Sequence, residues 1–445
     1  MERLMSYSQT CTGLSAQAFL RQARGAERFY WNHGEVIFAG FGVAAELMAW
    51  GKDRFQTIRQ KAKELFRDSV VVGDEILAAP RLFGGFAFRD DFAPDNTWSV
   101  FTPAHFILPH YQLVQHDGKS WLTINAHIQP DDDPQEILPQ LQAALQTRYE
   151  MLAAHTPLPN KNALHMSHMN YPMSYETWER IVTAATREIK TGPLEKVVLS
   201  RVCEIQFADR IDVDSALDDL NDRYPECYRF LFEPRPYHAF YGATPELLVK
   251  VNGRRVTTMG LAGSIRRGNS PEEDEGYAQQ LLSDPKERHE HALVVKAIKE
   301  RLGELTTELD VPEMPCIYRL SNIQHLYTPI EGQLKQEMGV LPLVETLHPT
   351  PALGGTPRHL AMEFIRQAEP VPRGWYAAPI GWIDYHLDGE FGVAIRSAVC
   401  QDRRVWLYAG GGIVADSIPQ KEWDETALKF KPMLNALGIG ETVHV

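Results

Sequence analysis

The chain is short of several things, and each shortage closes off a class of function. Its five cysteines (Cys11, Cys203, Cys227, Cys316, Cys400) are an odd number among 445 residues, widely scattered and without a CxxC pair. That pattern excludes a disulfide scaffold and a cysteine-built metal centre, and predicts free thiols in a reducing compartment. Basic residues are outnumbered, 45 against 58 acidic, for a net charge of −13. Such a balance disfavours a general nucleic-acid binder and leaves small molecules as the expected partners. No stretch is apolar and long enough to span a bilayer, and the mean hydropathy is −0.30. The opening MERLMSYSQT lacks the basic-then-apolar plan of a signal peptide. There is no Walker motif, Ser-His-Asp elbow, internal repeat or low-complexity tract, and His289-Glu290 meets Leu293 where a zinc-protease helix needs its second histidine. The expectation is a soluble, cytoplasmic globular protein without membrane or nucleic-acid partners.

What is present centres on residues 283–302, SDPKERHEHALVVKAIKERL. Asp284 suits an N-cap, Pro285 the first turn, and Glu287 the third position of a capping box. Val294, Val295, Ile298 and Leu302 recur at helical spacing and give the helix a buried side. Glu287 and Glu290, three apart, project from one face. Near the C-terminus PQKEWDETALKFK repeats the device, with Glu422 and Glu425 three apart and Lys429 one turn further on. Taken singly, either pair reads first as a solvated helix face; two helices with carboxylate pairs also suit a hard divalent cation, which takes oxygen ligands.

Around these stretches the pattern alternates without βαβ regularity, so the fold class is α+β, with large, mainly antiparallel sheets and flanking helices. Helices are expected at about residues 14–24, 53–67, 134–153, 174–190, 213–222, 285–309 and 357–368. Hairpins are expected at Asn32-His33-Gly34, at Asp117-Gly118 and at Asn252-Gly253. Gly40-Phe41-Gly42-Val43-Ala44-Ala45 matches a GxGxxA dinucleotide fingerprint, but the preceding strand looks antiparallel and no acidic ribose ligand follows, which argues against that role. A Pro- and Asn-containing stretch ending near residue 162 divides an N-terminal β-rich part (1–165) from a catalytic core (166–445); the first part is read as one layer of a single fold.

Single residues add chemistry. Lys196 enters the apolar strand KVVLSR, where desolvation favours the neutral amine that a general base needs, although strand-end lysines more often snorkel. Glu246 follows Thr244-Pro245 at the start of an apolar strand, where partial burial favours a protonated general acid and full solvation would not. Arg396, amid apolar neighbours in FGVAIRSAV, implies a bound carboxylate or phosphate. Gly410–Gly412 reads either as backbone N–H groups offered to an anion or as a tight turn.

Taken together, KVVLSR, TPELL, LAGS, KERHEH, SNIQHLYT, HPTPALGG, VAIRSA, AGGGIVADS and EWDET, in that order, resemble the chorismate-utilising enzymes, the family of isochorismate, salicylate, anthranilate and aminodeoxychorismate synthases. The likeness covers the chain from about residue 171 onward; the N-terminal part is only loosely alike. It implies the fold of anthranilate synthase component I and a Mg2+ ion held directly by Glu290 and Glu425 and through water by Glu287 and Glu422. It implies that Gly263, Ser264, Arg396, Lys429 and the backbone at Gly412 meet the carboxylates of chorismate, with His325, Ala352 and Leu353 beside the ring. Lys196 matches the base that activates water for attack at C2, and Glu246 the acid that protonates the departing C4 hydroxyl.

Within the family, Ala262 in LAGS stands where enzymes of the para-aminobenzoate pathway carry lysine, and anthranilate-type enzymes, which need an ammonia-supplying partner, carry PIAGT. Pro351-Ala352-Leu353-Gly354-Gly355 looks like the isochorismate synthases, where salicylate synthases have a Thr-Ala-Ser-Gly version. Gly411 departs from the family's usual alanine. The resemblance therefore implies an isomerase, an isochorismate synthase of the menaquinone-pathway type with no obligatory glutaminase partner; the alternatives are the siderophore-pathway form, a salicylate synthase, and a non-catalytic chorismate-binding subunit.

Overall fold

In a computed structural model, described here over residues 2–154 and 165–440, strands buried along much of their length assemble into two sheets of 13 and 10 strands. The stretch expected to divide the two parts of the chain falls largely outside the described residues. In the larger sheet, strands Met166–Asn170, Lys196–Phe207, Arg404–Ile413, Ser397–Gln401, His238–Thr244 and Tyr228–Arg235 lie side by side, followed directly by Arg28–His33, Val36–Phe41, Tyr111–His116, Lys119–Ile128, Arg3–Cys11 and Val70–Val72. The smaller runs Thr306–Asp310, Ile323–Leu334, Arg255–Arg266, Leu247–Asn252, Gly389–Val393, Pro379–Asp384, then Arg81–Phe86, Ala104–Leu108 and Ala45–Ala49. The only parallel pairing among the described strands joins Arg3–Cys11 to Val70–Val72. Early and late segments thus share both sheets: Phe230 pairs with Trp31 in one, and Trp382 with Phe83 in the other.

Period-2 side-chain alternation decides where the core sits. In Arg28–His33, Phe29 and Trp31 enter the apolar cluster between the sheets, while Tyr30 turns to a second cluster beneath helices on the outer face. Aromatic rings knit the inner layer: Phe29 stacks on Phe83 at 6.3 Å and Phe38 meets Trp382 edge-on at 5.4 Å. The outer layer receives the helix Val213–Arg223 through Leu217 and Leu220, and Pro419–Ala436 through Phe430, Met433 and Leu434.

Most expected helices appear within two residues of their predicted ends. The helix over 285–309 is shorter: it closes as Pro285–Gly303, and Thr306–Asp310 continues as a strand at the sheet edge. Pro271–Ser283 is a helix the hydrophobic pattern did not mark, although Ser270 caps it by accepting from Glu273 N. Asp117 and Gly118 turn the expected hairpin, both at positive φ, 49° and 69°. The GxGxxA segment is no nucleotide loop. Gly42, at φ 68°, carries the chain out of the larger sheet and into Ala45–Ala49 of the smaller, and no helix follows the glycines.

Candidate active site

The same kind of crossing builds the site. Thr244-Pro245-Glu246 joins His238–Thr244 of the larger sheet to Leu247–Asn252 of the smaller, and the link between Gly389–Val393 and Ser397–Gln401 carries Arg396 back. Arg396 is therefore at a break between strands rather than within one, and holds a left-handed φ of 50°. Helix Pro285–Gly303 packs on Arg255–Arg266 of the smaller sheet, helix Pro419–Ala436 on Arg404–Ile413 of the larger, and their carboxylate pairs converge. Glu246, Glu287, Glu290, Glu425, Arg396 and Lys429 line one cavity. Gly263, Ser264, His325, Ala352, Leu353 and Gly412 complete its expected wall.

Two expected residues stand just behind the lining. Lys196 is fully buried, with Nζ 2.8 Å from Glu290 Oε1 but no hydrogen bond of good geometry. Glu422, also buried, meets the ammonium of Lys286 at 3.2 Å. Lys286, which sequence reasoning passed over, also lies 3.8 Å from Glu287, so one cation leans on both helices. The capping role expected for Glu287 is not what its side chain does. Asp284 alone caps, accepting from Lys286 N and Glu287 N, and Glu287 Oε2 turns inward to accept from Ser264 N at 3.0 Å. Ser264 Oγ donates to Glu425 Oε1 at 3.1 Å, so this serine ties the carboxylates of both helices.

The glycine run is neither turn nor loop. Gly410, Gly411 and Gly412 pair with Ser200, Leu199 and Val198 inside the strand Arg404–Ile413. Their use is space: a Cβ on Gly412 would stand 2.5 Å from Glu290 Oε1 and 3.0 Å from Lys196 Cε. Gly263 makes a bulge opposite Leu326 and His325, with φ 76°, a conformation L side chains rarely adopt. Its carbonyl accepts from His325 Nδ1 at 3.1 Å, which fixes the tautomer and leaves Nε2 as a buried acceptor without a partner. Burial, with Arg396 and Lys429 nearby, pulls the His325 pKa down to about 3, so this ring is neutral.

Electrostatics separate the acidic groups by role. Burial pushes Glu246 up to about 8, against the pull of Lys196 and Arg396, so it carries a proton at neutral pH. Burial and the negative charges of Glu290 and Glu425 raise Glu287 to about 7, with Lys286 opposing. Glu425 goes the other way: burial resists, but Lys429 at 2.7 Å and the Ser264 hydroxyl hold it ionised. Arg396 is buried and no described residue gives its guanidinium an ion pair or hydrogen bond. A buried, unpaired guanidinium is costly unless an anion arrives. Among the described residues, no three His, Cys, Asp or Glu side chains are already gathered as a metal-ligating set. Lys196, Lys286 and Lys429 hold the carboxylates instead. The donor set nonetheless fits a hard divalent cation: four oxygen-bearing groups lie together, and burial with the charges of Glu290 and Glu425 pushes one of them, Glu287, toward protonation.

Tyr376 also lines the cavity, stacked on Tyr408 at 5.1 Å. Nothing in RGWYAAP distinguishes it as a site residue before folding, since a core tyrosine would look the same. No described helix is long and apolar enough to cross a membrane.

Comparisons with known proteins place nearly the whole length of the chain in one family. The family profile described as chorismate binding enzyme matches residues 1–438, so the likeness reaches well ahead of residue 171. The isochorismate synthase MenF of Bacillus subtilis is 34% identical over 98% of this chain and 93% of its own length. The salicylate biosynthesis isochorismate synthase of Pseudomonas aeruginosa is 36% identical over 92% of this chain and 84% of its own. Among solved structures, the menaquinone-specific isochorismate synthase MenF of Escherichia coli superposes with a TM-score of 0.80 at 25% identity, covering 98% of this chain and 95% of that one. Anthranilate synthase component I of Streptococcus pneumoniae shares the fold, with a TM-score of 0.76 at 22% identity over 90% of this chain and 92% of that one. The two-sheet α+β architecture is that of anthranilate synthase component I, and the chain belongs to the chorismate-binding enzymes.

Proposed function

We propose that this chain is an isochorismate synthase, an isomerase that exchanges the C4 hydroxyl of chorismate for one at C2. The observation that carries the reading is Glu246, a carboxylic acid held protonated to about pH 8 on the wall of a cavity whose rear holds the buried amine of Lys196. A protonated carboxylic acid and an amine at one cavity supply the two partners that paired acid and base chemistry requires. Lys196 takes a proton from water as its oxygen bonds to C2. The two ring double bonds shift, C1=C2 to C1=C6 and C5=C6 to C4=C5, the C4–O bond breaks, and Glu246 supplies the proton with which that oxygen leaves as water. One water enters and one departs, and nothing is oxidised or reduced.

To serve as base Lys196 must present its neutral amine to the attacking water, and its Nζ is positioned 2.8 Å from Glu290 Oε1. Arg396 receives a substrate carboxylate, and the Nε2 of His325 accepts from a substrate hydroxyl. Glu290 and Glu425 would hold Mg2+ directly, with Glu287 and Glu422 acting through water; Mg2+ would neutralise these carboxylates and hold the ring carboxylate. Water is the nucleophile, so no ammonia-supplying partner enters. The likeness to the menaquinone-specific isochorismate synthase of Escherichia coli over 98% of this chain supports menaquinone formation as the pathway.

The test is incubation of the purified chain with chorismate and Mg2+, with EDTA as control and products separated by chromatography. Isochorismate without pyruvate, lost on chelation, is expected. Salicylate with pyruvate would overturn the synthase reading in favour of a lyase, and no turnover with or without ammonia would leave only a binding role.

A further inference from the structure

We propose that Arg373, locked by Glu369, is a positioning residue that sets the loop carrying Leu353 against the strand carrying Lys196; this rests on the function proposed above. Neither residue lines the cavity, and no motif pointed to either. The Arg373 side chain is buried and turns both terminal nitrogens to this junction. One terminal nitrogen donates to Leu353 O at 2.9 Å, and the other to Val198 O at 2.7 Å. Leu353 and Val198 both line the cavity, on opposite sides of the seam that Arg373 closes.

The remaining bonds fix the arginine itself. Nε and one terminal nitrogen make a bidentate pair with Glu369 at 2.9 and 2.6 Å. The carboxylate is anchored in turn by Ser200 N at 2.8 Å, two residues beyond Val198 on the same strand. Phe88 stacks on the guanidinium at 4.2 Å. The backbone extends the same unit, since Arg373 O accepts from Tyr376 N and Tyr376 faces the cavity. The loop lies so close to the strand that a Cβ on Gly355 would collide with Lys196 O, leaving no slack in which a shift could be absorbed.

A planar five-donor fork is what this junction uses; a lysine keeps the charge but reaches one acceptor at a time. Loosening the seam would displace Leu353 and the Lys196 strand relative to each other while leaving Arg396, Lys429 and the carboxylate cluster in place. Binding should therefore survive where turnover does not.

The test compares wild type, Arg373→Lys, Arg373→Gln, Glu369→Gln and the Arg373→Lys/Glu369→Gln double variant. It measures kcat and KM for isochorismate formation, chorismate affinity by fluorescence quenching, and Tm. In the folded variants kcat should fall about 30- to 100-fold, the scale of a misplacement of about 1 Å, with chorismate affinity within about threefold of wild type. The lysine should fail to rescue, and the double variant should be no worse than the poorer single one. A folded Arg373→Lys or Glu369→Gln enzyme with kcat within about threefold of wild type would overturn the proposal. So would equal losses of chorismate affinity, Tm and kcat, the mark of general loosening. A wild-type chain that turns over no chorismate would instead remove the synthase reading and this proposal with it.

Discussion

Replacing Glu246 by glutamine tests the acid through stability as well as rate. The side chain is 4% exposed, and its pKa is raised from 4.5 to about 8. Between those two values the folded chain keeps a proton that the unfolded chain has released, so stability falls as pH rises through this window and levels off above it. The gap is about 3.5 units at about 1.4 kcal/mol each, or about 5 kcal/mol in all. Glutamine cannot ionise and has nearly the same shape. The stability of Glu246→Gln minus that of wild type should therefore climb in the variant's favour from pH 5 to pH 8, by about 3–4 kcal/mol of that total. Urea denaturation at unit pH intervals, without metal or substrate, measures that difference directly. An amide cannot deliver a proton, so kcat should drop by a factor of about 100 or more. Wild-type turnover should also decline above about pH 8 as the acid ionises. A stability difference that stays constant from pH 5 to pH 8 would refute the reasoning, because Glu246 would then be ionised in the folded chain throughout.

Other perturbations separate the remaining roles. Lys196→Met should abolish water-dependent turnover while chorismate still binds in a fluorescence titration; retained activity would reassign the base. Arg396→Ala should lower kcat/KM by about 10- to 100-fold, the worth of charge-assisted hydrogen bonds of about 1.5–3 kcal/mol, mostly through KM. Gly412→Ala would press a methyl group against Glu290 and Lys196, so a marked loss of activity with little change in Tm is expected. Mg2+ should raise the Tm of the wild type, and Glu290→Gln or Glu425→Gln should blunt that shift; identical shifts in all three proteins would place the cation elsewhere.

How much of this could be read beforehand follows from how far each signal reaches along the chain. The helix Pro285–Gly303 announced itself through Asp284, Pro285 and the spacing of Val294, Ile298 and Leu302, all local features. The pairing of its carboxylates with those of Pro419–Ala436 was foreseen only because both stretches carry the same three-residue spacing. The glycine run was legible as a peculiarity but not as a strand, because what it makes room for, Glu290 and Lys196, comes from two other segments. Arg396 drew notice as a cation among apolar residues, yet its left-handed backbone at a sheet crossing depends on tertiary context. Lys286 and Tyr376 look ordinary in sequence and gain meaning only from their neighbours. Arg373 is the extreme case: its acceptors, Val198 O and Leu353 O, are backbone atoms that no residue type betrays.

That strands from early and late in the chain join edge to edge in both sheets has a consequence for anyone who would dissect the protein. Removing the segment before residue 130 would not trim a terminal module. It would strip the partners from Tyr228–Arg235 in one sheet and from Pro379–Asp384 in the other, baring two long apolar borders at once. Such raw edges invite pairing between molecules, and the truncated product should aggregate rather than persist as a smaller enzyme.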